Sequence, residues 1–343
     1  MNDQVTIVPS SELGLLGVYH LKRLWSSVMA ARRGSRTERD DEGVLDRLVI
    51  DALGIGLHQA IEQLFLNGPT FSEFEAWIVA TAGSPERHRV ARVNALVSGM
   101  PQPEPTLRWI KSIDHCAPVL TQQDLLHWEE KGYVVLKNAV TPEARKDAEK
   151  AIWEHIGAAP ALPESWYQGE RKSIMVELFQ HPALEKNRQS LRIHKAFAQL
   201  WGTADLWVSS DHCGFHPPQT HDWPFPGPDL HWDIDFDKPI EFGTQGVLYL
   251  TDTPARQGAL TLVPGFQHRL SDWLKELKSG EDPQQQDLHA LGSMPVAGQA
   301  GDMIIWNQAL PHGSSPNLGS QPRIVQYINM YSGLGYEPVD KSV

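Results

Sequence analysis

Apolar residues recur at helical spacing through much of the first hundred residues. Between Leu45 and Leu64 they return every three or four positions, which is typical of helices that bury one face. Thr70 and Glu73 stand at the spacing of a capping box, in which the two side chains satisfy free backbone N–H groups at the start of a helix. The pattern predicts an N-terminal helical domain over residues 1–100.

A proline-rich stretch follows this domain. The sequence Pro101-Gln102-Pro103-Glu104-Pro105 is typical of a stiff, extended connection, because proline fixes its own backbone and restricts the residue before it. We therefore expect a linker over residues 101–120. After it, the pair Thr121 and Asp124 predicts the start of a helix that Gly132 ends.

The pattern changes to short strands in the second half of the chain. A first strand is predicted over 133–136, and Pro142 then predicts the first turn of a helix. Further apolar runs lie between turn residues at 206–209, 246–250, 259–263, 303–306 and 324–331. Many short strands broken by turns are typical of a jelly roll. Residues 121–343 are thus predicted to form an α+β domain, a cupin-like double-stranded β-helix with flanking helices.

Charge and composition exclude several classes of protein. The formal net charge is -12, whereas binding to a nucleic-acid backbone or to anionic lipid needs a basic surface. Hydrophobic residues make up 41% of the chain, but no apolar run approaches the roughly 18 residues of a membrane helix. The first residues lack the basic and apolar regions of a secretory signal. The two cysteines make no disulfide framework, so a cytoplasmic location is expected.

The candidate chemistry begins at His231-Trp232-Asp233. On a strand, His231 and Asp233 would point to one face and Trp232 to the other. A second histidine, His312, would have to come from a distant strand. Two imidazoles and one carboxylate on one face of a metal form the facial triad of non-haem Fe(II) oxygenases, which leaves coordination positions open for other ligands. Asp235 remains an alternative carboxylate, although its spacing from His231 is the poorer match.

Features near His312 support this interpretation. Gly301-Asp302 predicts a tight turn into an apolar strand that leads toward His312. Arg323 follows His312 by eleven residues and opens another apolar strand. A guanidinium there could bind a carboxylate through two parallel hydrogen bonds. The order of these features favours an iron and 2-oxoglutarate enzyme.

The segment from about residue 125 to 331 resembles the phytanoyl-CoA dioxygenase family of Fe(II)/2-oxoglutarate oxygenases. The matching motifs are Gly132-Tyr133-Val134-Val135-Leu136, His231-Trp232-Asp233, Pro264-Gly265, Gly301-Asp302, His312-Gly313-Ser314 and Arg323. The resemblance implies that His231, Asp233 and His312 hold Fe(II), with 2-oxoglutarate and O2 as co-substrates. It also implies that Arg323 and the Ser314 hydroxyl bind the distal carboxylate of 2-oxoglutarate. Because related halogenases lack the carboxylate ligand, Asp233 favours oxygen chemistry.

The loop that precedes His231 is the expected wall of the substrate pocket. It runs from His216 to Asp229 and contains five prolines, which make it stiff. Trp223 in this loop, together with Asp235 and Tyr327, are the candidates for substrate contact. His216 is a further candidate for the pocket lining.

The expected function is hydroxylation of a small-molecule metabolite with release of succinate and CO2. Desaturation, ring closure or demethylation of a natural product or an amino-acid derivative would use the same triad and stays open. A non-catalytic binding protein on a degenerate barrel is the alternative from another class, and the complete set of site residues argues against it. The acidic composition favours a neutral or cationic substrate. For the N-terminal helices, capping of the barrel mouth, a homodimer contact and plain packing all stay open.

Overall fold

The computed structural model describes residues 7–35, 42–169 and 172–333. The chain separates into two compact units. The first unit comprises Met1–Cys116, Trp201–Ser210 and Tyr331–Val343, and the second comprises Ala117–Leu200 and Asp211–Met330. All of the candidate site residues belong to the second unit.

The first unit is mainly helical, as the apolar periodicity predicts. Its helices are α1 (Leu21–Arg32), α2 (Gly43–Ala52), α3 (Leu57–Asn67), α4 (Phe71–Ala82), α5 (Arg87–Ser98) and α6 (Glu104–His115). The predicted capping box is confirmed, because Glu73 N–H donates to Thr70 Oγ1 and Thr70 N–H donates to Glu73 Oε2. Leu48, Leu64 and Phe74 are fully buried and lie in the core of this unit.

The structure corrects the expectation of an extended linker over residues 101–120. Helix α6 occupies most of that range, with Pro103 as its N-cap and a further proline in its first turn. Proline at the start of a helix removes only an N–H that has no intrahelical partner, and its fixed backbone angle suits the helix. The prolines therefore mark the beginning of a helix here.

The second unit contains the predicted strands and several helices. The helices are α7 (Gln122–Lys131), α8 (Pro142–His155), α9 (Pro182–Arg188), α10 (Leu191–Trp201) and α11 (Leu270–Glu276). The strands of this unit are β1 (Tyr133–Leu136), β2 (Met175–Val176), β4 (Cys213–His216), β5 (Thr244–Tyr249), β6 (Leu260–Leu262), β7 (Met294–Val296), β8 (Met303–Asn307), β9 (His312–Ser314) and β10 (Arg323–Tyr327). Gly132 ends α7 with a positive φ of 76°, as predicted.

Two antiparallel sheets hold these strands. The larger has the order β1-β8-β5-β10-β4-β2, and the smaller has the order β7-β6-β9. The strand predicted over 324–331 is divided in the structure, since β10 ends at Tyr327 and β11 (Met330–Ser332) pairs instead with β3 (Leu206–Val208). An α+β architecture with antiparallel sheets is confirmed.

A cluster of buried apolar side chains lies in the second unit. It includes Tyr249 and Val325 from the larger sheet, Leu262 from the smaller sheet and Trp232 from the ligand-bearing segment. No helix in the described part of the chain is long and apolar enough to cross a membrane.

Candidate metal centre

His231 and His312 are brought together by a backbone bridge. The N–H of each residue donates to the carbonyl of the other, both over 2.9 Å. His312 lies on β9, whereas His231 makes an isolated bridge and no continuous strand follows it. The structure thus brings the two predicted histidines together, but the expectation that His231 and Asp233 lie on a regular strand is wrong.

Asp233 completes a group of three potential metal ligands. Within the described residues, His231, Asp233 and His312 each offer one ligand atom, and these atoms all lie within 4.8 Å of one another. The Nε2 atoms of His231 and His312 are 3.5 and 3.3 Å from the two carboxylate oxygens of Asp233. Two neutral imidazoles and a carboxylate are suitable donors for a divalent transition metal.

Backbone carbonyls orient both imidazole rings. His231 Nδ1 lies 2.7 Å from the carbonyl oxygen of Asp229, and His312 Nδ1 lies 3.1 Å from that of Leu310. A neutral imidazole that donates from Nδ1 keeps its lone pair on Nε2. In both residues the nitrogen available to a metal is therefore the one that faces Asp233, which is the arrangement found around metal-ligating histidines.

A short hydrogen-bonded chain fixes the carboxylate of Asp233. Trp306 Nε1 donates to Gln245 Oε1 over 3.0 Å, and Gln245 Nε2 donates to Asp233 Oδ2 over 2.6 Å. The imidazoles of His231 and His312, both within 3.5 Å of the carboxylate, lower the pKa of Asp233, so this group is ionised over the whole neutral range. The hydrogen bond to Asp233 raises the pKa of His231, against the opposing effect of burial.

The side chain of Trp232 anchors the segment between the two ligands. It is 3% exposed and its indole Nε1 donates to the carbonyl of Ala309 over 2.9 Å. Its ring contacts those of Phe266 and Trp273, with centroids 5.9 and 5.7 Å away. Trp232 is therefore buried in the core, while His231 and Asp233 on either side of it are more exposed.

Arg323 lies on β10 and is almost completely buried. Its Nη1 donates to Ser314 Oγ over 3.1 Å and to the carbonyl of Gly258, and its Nη2 lies 3.4 Å from the hydroxyl of Tyr327. Within the part of the chain that the structure describes, its Nε has no hydrogen-bond partner and no carboxylate pairs with the guanidinium. A buried cation without an anion is costly. The site therefore fits an anionic ligand.

His216 lies beside Arg323 and was only a secondary candidate in the sequence. The two residues are paired across β4 and β10, so their side chains share one face of the sheet. His216 is completely buried, and neither ring nitrogen has a hydrogen-bond partner within the described residues. Burial and the nearby Arg323 lower the pKa of His216 to about 3. The imidazole is neutral at physiological pH and offers one N–H donor.

The three candidate substrate contacts occupy different environments. Trp223 is half-buried in the loop, and its ring centroid lies 5.9 Å from that of His216. Tyr327 is half-buried next to Arg323. Asp235 is exposed, accepts a hydrogen bond from the N–H of Asp237, and lies outside the group of three potential metal ligands. The geometry thus favours Asp233 over Asp235 as the carboxylate ligand.

The sequence pattern did not identify Gln245. It is the second residue of β5, ahead of four buried residues. It lies twelve residues from Asp233, and that spacing matches no helix or strand pattern that would predict the contact. A polar residue at a half-buried position of an apolar strand is the one feature that could have suggested it.

Comparison with known proteins defines the family. The model of the phytanoyl-CoA dioxygenase (PhyH) family matches residues 128–325. Because this match covers more than half of the chain, the chain belongs to the phytanoyl-CoA dioxygenase family. It is a dioxygenase-type oxidoreductase of the class that uses iron and 2-oxoglutarate, as the resemblance implies.

Individual relatives are distant. An ectoine dioxygenase from Bordetella parapertussis is 24% identical over 238 residues, which cover 60% of this chain and 74% of the relative. The crystal structure of EctD from S. alaskensis with 2-oxoglutarate and 5-hydroxyectoine is 16% identical, with a TM-score of 0.46 over 65% of this chain and 82% of that one. The carbocyclase SnoK from nogalamycin biosynthesis is 17% identical, with a TM-score of 0.44 over 66% of this chain and 91% of that one.

Proposed function

We propose that this chain hydroxylates a small-molecule metabolite with Fe(II) held by His231, Asp233 and His312. The observation that carries the proposal is the convergence of these three side chains, each with its ligand atom within 4.8 Å of the others. The backbone carbonyls that accept from both Nδ1 atoms leave Nε2 free to bind a metal. This donor set suits Fe(II), because non-haem oxygenases hold Fe(II) with two imidazoles and one carboxylate.

Arg323 would bind the distal carboxylate of 2-oxoglutarate, helped by Ser314. The guanidinium is buried, lacks an anionic partner within the described residues and retains an unpaired Nε. A dicarboxylic co-substrate would supply the missing negative charge. The neutral imidazole of His216 would border this anion site without adding a second positive charge.

We also infer that the two sheets form a double-stranded β-helix. Strands β4 and β5 both belong to the larger sheet. His231 lies between them in the sequence and forms its backbone bridge to His312 on β9, a strand of the smaller sheet. Strands β6 and β7 are in the smaller sheet, after which β8, β9 and β10 alternate between the two. Such alternation winds the chain around a central space, and His231 and His312 would lie at one end of it.

When bound, iron and 2-oxoglutarate supply oxidative decarboxylation to succinate and CO2, coupled to oxidation of a substrate C–H bond. The chain's own residues orient the ligands and bind the co-substrate. The substrate would enter beside Trp223 and Tyr327. The net charge of -12 favours a neutral or cationic substrate, and the two free cysteines fit a cytoplasmic location.

Release of succinate from a panel of small metabolites tests the proposal. The purified protein, supplied with Fe(II), 2-oxoglutarate and O2, should release succinate in proportion to a product that has gained one oxygen atom. A product that has lost two hydrogen atoms would indicate desaturation or ring closure instead. Equal succinate release by the wild type and by His312→Ala would contradict the proposed site.

A further inference from the structure

The backbone of Trp232 is held by a side chain from another part of the chain. Trp232 N–H donates to Gln284 Oε1 over 3.1 Å, and Gln284 Nε2 donates to the carbonyl of Trp232 over 2.8 Å. One carboxamide therefore satisfies both backbone polar groups of the residue between His231 and Asp233. These are the two bonds that a neighbouring strand would make to Trp232 in a continuous sheet.

This contact is needed because the sheet ends at the metal site. His231 makes its bridge to His312, but residues 232–235 belong to no strand. The Trp232 peptide therefore depends on Gln284 for the two hydrogen bonds that a neighbouring strand would otherwise supply. The indole of Trp232 anchors the side chain, and Gln284 anchors the main chain.

Gln284 is itself held in place by its surroundings. It lies in a short 3-10 helix, Pro283–Gln285, in which the N–H of Gln284 donates to Asp282 Oδ1 over 2.9 Å. Leu288 lies in the same segment between α11 and β7, is 3% exposed and belongs to the apolar cluster that contains Trp232. The connection between α11 and β7 is thus packed against the same core as the ligand-bearing segment.

A second contact joins the same two segments. His289 Nε2 lies 2.7 Å from Asp229 Oδ1, and the carbonyl of Asp229 is the one that orients the ring of His231. The connection between α11 and β7 therefore contacts the ligand-bearing segment on both sides of His231, through Gln284 and His289.

We propose that Gln284 is a positioning residue of the metal centre, which holds the Trp232 peptide so that His231 and Asp233 keep the spacing a metal needs. The inference rests on the proposed function only for its effect on metal affinity. The two hydrogen bonds between Gln284 and the Trp232 peptide can be tested in the metal-free protein, through the exchange rate of the Trp232 amide. Residues that support metal ligands typically change metal affinity by about 10- to 100-fold when they are removed.

The test compares Gln284→Ala with Gln285→Ala. Gln285 is the next residue, is exposed, and its side chain makes no hydrogen bond within the described part of the chain. In metal-free protein, hydrogen exchange of the Trp232 amide should quicken by about three- to tenfold in Gln284→Ala, as the loss of one ordinary hydrogen bond implies. It should stay unchanged in Gln285→Ala.

Metal affinity and a conservative variant complete the test. The dissociation constant for Fe(II), measured anaerobically, should rise by about tenfold or more in Gln284→Ala. Gln284→Glu keeps the acceptor for Trp232 N–H but turns a carboxylate oxygen toward the Trp232 carbonyl, which it repels. Its amide exchange should therefore lie between that of the wild type and that of Gln284→Ala. Unfolding temperatures should show that all three variants remain folded.

Two results would overturn the inference. One is wild-type exchange of the Trp232 amide in Gln284→Ala, and the other is unchanged Fe(II) affinity in that variant. Failure of the proposed function would give a different result, because wild-type protein and His312→Ala would then bind Fe(II) equally. The exchange rate of the Trp232 amide would still show whether Gln284 holds the Trp232 peptide.

Discussion

His231 and His312 exchange two backbone hydrogen bonds of 2.9 Å, although they are far apart in the sequence. This bridge places both imidazoles on the same side of the smaller sheet, with ring centroids 4.8 Å apart. The position of one ring therefore depends on the strand that carries the other.

Replacement of His312 by alanine should abolish most metal binding. The variant removes one of three side-chain ligands, and the backbone bridge to His231 does not depend on the imidazole. Anaerobic titration with Fe(II) should show a loss of affinity of at least about 100-fold. His221→Ala is the matched control, since His221 is exposed and lies outside the group of three, and it should bind Fe(II) like the wild type.

Replacement of Arg323 should weaken the binding of 2-oxoglutarate and leave the affinity for iron largely intact. Arg323→Ala removes the buried cation that contacts Ser314, whereas Arg323→Lys keeps the charge but not the planar pair of donors. The dissociation constant for 2-oxoglutarate should rise steeply in the first variant and less in the second. Arg108→Ala, at an exposed site in the first unit, should change neither affinity. A normal 2-oxoglutarate requirement in both Arg323 variants would place the carboxylate site elsewhere.

Gln245→Ala should reduce the affinity for iron by about tenfold, because it removes the hydrogen bond that fixes Asp233 Oδ2. Trp306 Nε1 would also lose its acceptor. Gln245→Glu provides the informative comparison: it keeps an acceptor for Trp306 but places a second carboxylate against Asp233, so it should bind iron no better than the alanine variant. Wild-type affinity in either variant would show that the amide does not orient the ligand.

The affinity for Fe(II) should rise with pH through the range in which His231 titrates. A metal can bind His231 Nε2 only after its proton has left. Asp233 raises the pKa of His231 above its usual value of about 6.5, so protons should compete with iron into the neutral range. Because the pKa of Asp233 is low, this carboxylate should not contribute to the pH dependence of the Fe(II) affinity in the neutral range. Fe(II) titrations between about pH 6 and 8 measure the effect, and an affinity independent of pH would contradict it.

Trp223→Ala should lower the formation of oxidised substrate more than it lowers the conversion of 2-oxoglutarate to succinate that occurs without substrate oxidation. The ring lies in the proline-rich loop against the ring of His216, so its removal should open the expected substrate pocket and leave the three metal ligands in place. Succinate and oxidised product are measured in parallel. An equal loss of both, in a folded variant, would indicate that the loop supports the metal centre itself.

Much of the site could be predicted because its chemistry depends on residue types at characteristic spacings. His231, Asp233, His312 and Arg323 were predicted in this way, and the structure brings the first three together. The capping boxes at Thr70 and Thr121 were equally predictable, since they depend on residues three positions apart.

The remaining features depend on contacts that no local pattern encodes. Gln284 reaches Trp232 across 52 positions of the chain, and Gln245 reaches Asp233 from a different strand. The segment 101–120 was predicted incorrectly because proline is compatible with both a linker and the first turn of a helix. Tertiary packing decides between these two outcomes.

We propose that one metal ion and one 2-oxoglutarate meet at His231, Asp233 and His312. Anaerobic addition of Fe(II) and 2-oxoglutarate to the wild-type protein tests it most directly, because the chelate formed with these ligands gives a weak charge-transfer band in visible light. The wild type should show this band, and His312→Ala should not. Absence of the band in the wild type, or an equal band in His312→Ala, would contradict the assignment.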